Sequence, residues 1–80
     1  MLVPLYGFLA GDTLGVVILV QDHDTIETVA KVLQQAAAAR VAPHAKLRAT
    51  VRGKVLDPQA TVASAGLAAF DRLDVAPEGG

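Results

Sequence analysis

The sequence contains no cysteine, which excludes disulfide cross-links and thiolate metal or redox chemistry. It also lacks an excess of charge of either sign. Seven Lys and Arg against eight Asp and Glu give a formal net charge of −1 with the histidines neutral. A general nucleic-acid binder needs a basic surface, so none is expected here. Long apolar runs are missing too: the longest strongly apolar one, Leu14 to Val20, is far short of the ~20 residues that cross a bilayer as a helix. No basic stretch precedes the first apolar residues, which argues against a secretory signal and makes the cytoplasm the expected compartment.

Catalytic and metal-binding patterns are equally scarce. The two histidines, His23 and His44, are separated by a helical segment. The acids around His23, Asp22 and Asp24, are explained by their place at the start of that helix, where they face the positive end of its dipole. There is no Cys/His cluster, no phosphate-cradling Gly-Lys-Ser/Thr loop and no serine–histidine–acid set. Neither an enzyme nor a resident cofactor or metal is expected. The 80 residues show no repeat, linker or internal boundary, so they form one domain. A chain of this size buries only about 60–65% of its extended surface, and its core is small.

What is present is a run of short elements. Leu2 to Leu9 reads as a strand, and Gly11-Asp12-Thr13 supplies turn chemistry. Gly15 to Gln21 is a second strand rich in β-branched residues, and the two make a hairpin. Asp24 or Thr25 can cap a helix, with Glu27 completing a capping-box pattern on Asp24. Ile26, Val29, Ala30 and Leu33 recur at i, i+3, i+4 and i+7, one buried helical face that should end near Arg40, before Pro43. Ala45 to Lys54 alternates, with Leu47, Ala49 and Val51 on one face and Lys46, Arg48, Thr50, Arg52 and Lys54 on the other. That pattern predicts a half-buried strand with a basic outer face. A short strand at Val55-Leu56 follows the turn at Gly53. Thr61 to Leu67 reads as a capped turn closed by Gly66, and Asp71 to Ala76 is the last strand. One helix on one face of a mixed sheet of four to five strands is an α+β domain.

Several of these segments resemble ubiquitin at matching spacings: Asp24-Thr25-Ile26-Glu27 with Val29, Gly53-Lys54, Leu56-Asp57, Thr61-Val62 with Leu67, and Leu73 with Val75. The resemblance implies the ubiquitin-like β-grasp fold and covers nearly the whole chain. A second family, the ubiquitin-like B subunits of toluene monooxygenases, is resembled in Val29-Ala30-Lys31, Arg40-Val41-Ala42-Pro43, Leu47-Arg48, Leu56 with Pro58, Thr61-Val62-Ala63 with Gly66-Leu67, and Asp74-Val75. The Arg-Val-Ala-Pro run is the most distinctive part, because the fold does not demand it. Leu2 to Leu9 departs from that family's pattern.

The ubiquitin resemblance gives the last two residues, Gly79 and Gly80, a meaning. In ubiquitin-like modifiers a Gly-Gly end is activated at its carboxylate and joined to lysine amines, and residues without side chains thread a narrow channel in any conformation. Residues 1–76 are expected to form the domain and 77–80 a tail, with Gly79 and Gly80 as candidate conjugation residues. Pro77 and Glu78 stand where ubiquitin has basic and aliphatic residues. Ubiquitin's apolar recognition patch corresponds here to Gly11, Thr50 and Ala76 and is not preserved. Lys54 corresponds to ubiquitin's chain-linking lysine.

Two surfaces are candidate partner sites. Matching the hairpin to ubiquitin puts Tyr6, Phe8, Val16, Ile18 and Val20 inward, and Leu5, Leu9, Val17 and Leu19 outward as an apolar patch. The basic face of Lys46, Arg48, Arg52 and Lys54 is a candidate docking site for an acidic partner, with an Arg48–Asp74 pair across the neighbouring strands. The expected partners are proteins: the activating enzymes and targets of a bacterial ubiquitin-like modifier, or the hydroxylase subunits of a toluene/phenol-type di-iron monooxygenase. Neither nucleic acid nor membrane is expected as a partner.

Overall fold

A computed structural model describes residues 1–44 and 46–78. Five strands and one helix follow in the order β1 (Leu2–Leu9), β2 (Gly15–Gln21), α1 (Ile26–Ala36), β3 (Leu47–Val51), β4 (Lys54–Val55) and β5 (Arg72–Pro77). The strands form one mixed sheet in the order β2-β1-β5-β3-β4. The central pair, β1 and β5, is parallel, and the other pairings are antiparallel. The fold is the ubiquitin-like β-grasp, with α1 packed on one face of the sheet.

The helix starts at Thr25, whose side chain accepts a hydrogen bond from the Thr28 N–H. Asp24 is not the cap; its carboxylate accepts from the Gln21 N–H at 2.8 Å. Ile26, Val29, Ala30 and Leu33 face the sheet as their spacing predicts. Regular helix ends at Ala36, short of Arg40, and turns closed on the Ala37 carbonyl continue to Val41. Gln34 then holds the next loop through two bonds to the His44 backbone.

The core is apolar throughout, with Leu5, Ile26, Val29, Leu33, Val62, Leu73 and Val75 fully buried at its centre. Gly7 lets the helix approach the sheet: a Cβ there would lie 2.7 Å from Leu33 Cδ1. The β3–β4 connection is two residues long, Arg52 (φ 51°) and Gly53 (φ 79°). Positive φ at both positions is the hairpin turn that matches the strand twist. Thr61 and Ser64 cap one another reciprocally, and Gly66 at φ 74° closes that turn as its sequence predicts. At the far end, Pro77 still belongs to β5 and the Glu78 N–H donates to the Lys46 carbonyl, so these two residues pair with β3's approach rather than leaving the domain as a tail.

Candidate functional site: the outer sheet face

The sheet face opposite α1 carries the most unusual chemistry of the molecule. On β2 the outward positions are Val17 and Leu19, both exposed, while Ile18 and Val20 are buried, as expected. On β1 the expected phase is reversed. Leu5 is wholly buried and Leu9 nearly so, whereas Tyr6 is 42% exposed and Phe8 half-buried on the outer face. Leu5 and Leu9 are therefore core residues and cannot meet a partner. The physical reason is the one-residue phase of a strand: with Gly7 inward beneath Leu33, Tyr6 and Phe8 must face out.

The corrected phase still yields an apolar surface, with different members. Tyr6 stands opposite Val17 and Pro4 opposite Leu19, with Leu2 at the end of the row. Leu2, Pro4, Tyr6, Phe8, Val17 and Leu19 form one contiguous patch across β1 and β2. The Tyr6 and Phe8 rings stack at 4.9 Å between centroids with 12° between planes. They lie over Gly15, where a Cβ would come within 2.3 Å of Tyr6 and 2.7 Å of Phe8. On the other side, the Arg72 guanidinium sits 4.1 Å over the Phe8 ring, within cation–π range. Arg72 is held there by Asp74 at 3.1 Å. The expected Arg48–Asp74 pair does not form, because Arg48 stands opposite Ala76 and Thr50 opposite Asp74. An apolar area over β1–β2 thus passes into a polar rim over β5–β3, the usual anatomy of a protein interface.

Phe70 adds to this border. It is 64% exposed and has φ of 64°, a left-handed conformation that costs a bulky residue roughly 1–2 kcal/mol. Its N–H donates to the Pro4 carbonyl, and the neighbouring Asp71 carbonyl accepts from Tyr6. These bonds hold the segment against β1 in spite of the strain. Neither Phe70, the outward Tyr6 and Phe8, nor Leu2 emerges from sequence reasoning as a site residue. The glycine opposite a pair of aromatics is the one sequence signal that points to them.

The four cations expected to form a basic face do not share one. Arg48 lies on the outer face and is exposed. Arg52 is in the hairpin turn and pairs with Asp71 at 3.6 Å. Lys54 stands opposite Val51, which puts it on the helix side of the sheet at the outer edge. Lys46 precedes β3 and lines an open groove of about 300 Å³ with Glu27, Lys31, Leu47, Pro58 and Glu78. The alternation is broken by the turn, which rotates Arg52 and Lys54 out of phase with Arg48.

Elsewhere, Arg40 makes a two-pronged ion pair with Asp12, with bonds of 2.9–3.1 Å, tying the end of the helical segment to the β1–β2 turn. The hydrogen bonds from Arg40 hold the Asp12 carboxyl below its usual range, against the opposing effect of desolvation. His23 is exposed beside Asp22, and among the described residues no group of three or more His, Cys, Asp or Glu is placed to hold a metal ion. No described helix is long and apolar enough to cross a membrane. Gly79 and Gly80, the candidate conjugation residues, lie outside the described residues.

Comparison with known proteins places this geometry. A chain in the solved structure of a toluene 4-monooxygenase HD complex with the inhibitor 4-bromobenzoate superposes with a TM-score of 0.90, at 23% identity, over 98% of this chain and 100% of that one. The ubiquitin of Caldiarchaeum subterraneum superposes with a TM-score of 0.76 at 22% identity over the whole of both chains. The ubiquitin-like domain of Plasmodium falciparum Dsk2 gives 0.77 at 14% identity, over 95% of this chain and 97% of that one. At these identities the likeness is one of fold. No curated protein matches the sequence. The family model described as toluene-4-monooxygenase system protein B matches residues 2–76, a span that includes the Leu2–Leu9 strand. The chain belongs to that family of small ubiquitin-like proteins.

Proposed function

We propose that the chain is a non-catalytic subunit of a multi-subunit monooxygenase of the toluene/phenol type, docked on the di-iron hydroxylase through the apolar half of its outer sheet face. The observation that carries this reading is the patch of Leu2, Pro4, Tyr6, Phe8, Val17 and Leu19, which leaves large apolar side chains in water on a domain whose core is already complete. A contiguous apolar patch with a polar rim is what a permanent partner covers. The stacked Tyr6 and Phe8 supply the rigid aromatic centre that dominates interface energetics. Family membership supports the class of partner, since the family is described as part of a monooxygenase system.

The test is co-expression with the hydroxylase subunits encoded in the same genome. The wild-type chain should purify with them at fixed stoichiometry. Val17→Glu with Leu19→Glu places two unpaired carboxylates in the interface and should weaken association at least ~100-fold, about 2.7 kcal/mol. Equal recovery of wild type and variant sinks this interface. Isopeptide adducts of Gly80 on cellular lysines, found by mass spectrometry, would instead favour a modifier function.

A further inference from the structure

The sheet has two edges, and they differ in how they are protected. The β4 edge is two residues long and carries Lys54. The β2 edge is seven residues long, Gly15–Gln21, with no charge and no proline between its ends. Proteins usually guard such an edge with charge, proline, a bulge or a covering segment.

The register shows which backbone groups the β2 edge presents. The Asp22 N–H donates to the Met1 carbonyl, and Leu2 stands opposite Gln21. Met1–Asp22 is therefore a hydrogen-bonded pair of the antiparallel ladder, and such pairs alternate. Val20, Ile18 and Val16 bond to β1, while Gln21, Leu19 and Val17 aim their N–H and C=O groups away from it. Gln21 is closed off: its N–H donates to Asp24 Oδ2 at 2.8 Å and its carbonyl accepts from the Asp24 N–H at 3.0 Å. No described residue does the same for Leu19 or Val17.

We infer that the partner contributes an extended segment that pairs with β2 through the backbone groups of Val17 and Leu19, adding a sixth strand to the sheet. This rests on the docking function proposed above and specifies its partner. Alternate side chains of the added strand extend the outer patch beside Val17 and Leu19. The others enter the seam between β2 and α1. Helical periodicity puts Glu27 and Lys31 on the α1 flank toward β3, where they line the groove with Lys46, and Thr28, Val32 and Ala36 on the flank toward β2. That flank is uncharged, and Val32 is half-buried against the core. The segment is therefore about five residues long, apolar on both sides and free of charge within the pairing. Antiparallel pairing brings its N-terminal end beside Asp22, which lies 3.3 Å from the Met1 amino group, and Asp24, whose carboxylate accepts from the Gln21 N–H. Two carboxylates against one amino group leave this end net acidic, so it favours a Lys or Arg. A second copy of this chain fits less well. Two β2 edges paired about Ile18 share only the Val17 and Leu19 groups, and they set Asp22 of each copy opposite Leu14 of the other, where the strand end offers no Lys or Arg.

The test uses the complex with the hydroxylase subunits. Amide exchange in free and assembled protein is trapped and read residue by residue. The Val17 and Leu19 amides should exchange freely in the isolated chain and at least ~100-fold more slowly in the complex, as paired strand amides do. Leu19→Pro removes an edge N–H without touching the bonds to β1, a place where strands tolerate proline. It should weaken association at least ~100-fold, with Ile18 and Val20 amide protection in the free variant certifying the fold. Leu19→Thr, which keeps the N–H, should weaken association less than ~10-fold. A complex that forms with Val17 and Leu19 exchanging as in the free chain overturns the added strand and leaves docking by the face standing. Absence of any complex overturns both. Protection that rises with concentration of the isolated chain assigns the edge to a second copy and overturns the partner segment.

Discussion

Gly7 and Leu33 form a size-matched pair where the helix crosses β1, and their coupling can be predicted from the contact distances. A Cβ at Gly7 would lie 2.7 and 2.9 Å from the two Leu33 methyl carbons, and Leu33 is wholly buried, so the methyls have nowhere to go. Gly7→Ala should incur overpacking of ~1–3 kcal/mol. Removing glycine's excess freedom in the unfolded chain returns ~0.4–1 kcal/mol, leaving a net loss of about 1–2 kcal/mol. Leu33→Val deletes one methylene, ~0.8 kcal/mol of transfer free energy, and leaves a small void; the sum is about 1–1.5 kcal/mol. Independent effects would then total about 2–3.5 kcal/mol. In the double variant, however, the methyl introduced by Gly7→Ala occupies the space that the Leu33 methyls vacate. The double variant should lose only ~1 kcal/mol, a coupling of ~1–2.5 kcal/mol. A domain of this length has roughly 4–12 kcal/mol of stability, so all four proteins remain folded and the cycle can be measured by urea unfolding followed by circular dichroism. Losses that add within ~0.5 kcal/mol would refute the argument that Gly7 exists to admit Leu33.

Other outcomes follow from the same structure. Gly15→Ala should displace the Tyr6–Phe8 stack from its seat while changing stability by no more than ~1 kcal/mol, since the stacking lost (~0.5–1.5 kcal/mol) is offset by the rigidity gained; unchanged ring-proton shifts of Tyr6, the single tyrosine, would contradict the seating. The Asp12 carboxyl is held low by Arg40, so its contribution is present above the unfolded value of about 3.9 and fades as pH falls through the lower folded value. Arg40→Gln should accordingly cost stability at neutral pH, with its difference from wild type fading as pH falls below about 4; a difference that persists undiminished well below that pH would exclude this pair as the cause. Phe70→Gly relieves the left-handed strain and should raise the urea midpoint by the equivalent of ~1 kcal/mol while weakening association with the hydroxylase; a lower midpoint would mean that the exposed ring packs on the domain itself.

The elements of this fold were legible because their periodicities are strong and their turns are marked. Ile26, Val29, Ala30 and Leu33 define the helical face without ambiguity, and the strand bounds of β1 and β2 follow from Gly11-Asp12-Thr13 between them. The phase of β1 was not legible from alternation. Leu2-Val3-Pro4-Leu5-Tyr6-Gly7-Phe8-Leu9 is apolar on both faces, so period two carries no sign, and alignment to ubiquitin's hairpin chose the wrong one. What decides it is tertiary: Leu33 above Gly7 on one face, and Gly15 below two rings on the other. The basic face failed for a different reason. Arg52-Gly53 is a two-residue turn with positive φ at both positions, and reading through it as strand assigned Arg52 and Lys54 to a face that ends at Thr50. Phe70 was hidden because nothing in Ala68-Ala69-Phe70-Asp71 announces a left-handed backbone; that conformation is imposed by the bonds to Pro4 and Tyr6. Of the four hairpin residues expected to face out, Val17 and Leu19 do, and Leu5 and Leu9 are in the core.

The central claim is that the outer face of β1 and β2 is covered by a partner. Hydroxyl-radical footprinting of the chain, free and assembled with the hydroxylase subunits, tests it most directly. Tyr6, Phe8, Val17 and Leu19 should be labelled readily in the free chain and several-fold less in the complex, with Lys31 and Gln35 on α1 unchanged. Equal labelling of the four sheet residues in both states, with protection appearing on α1 instead, would contradict it.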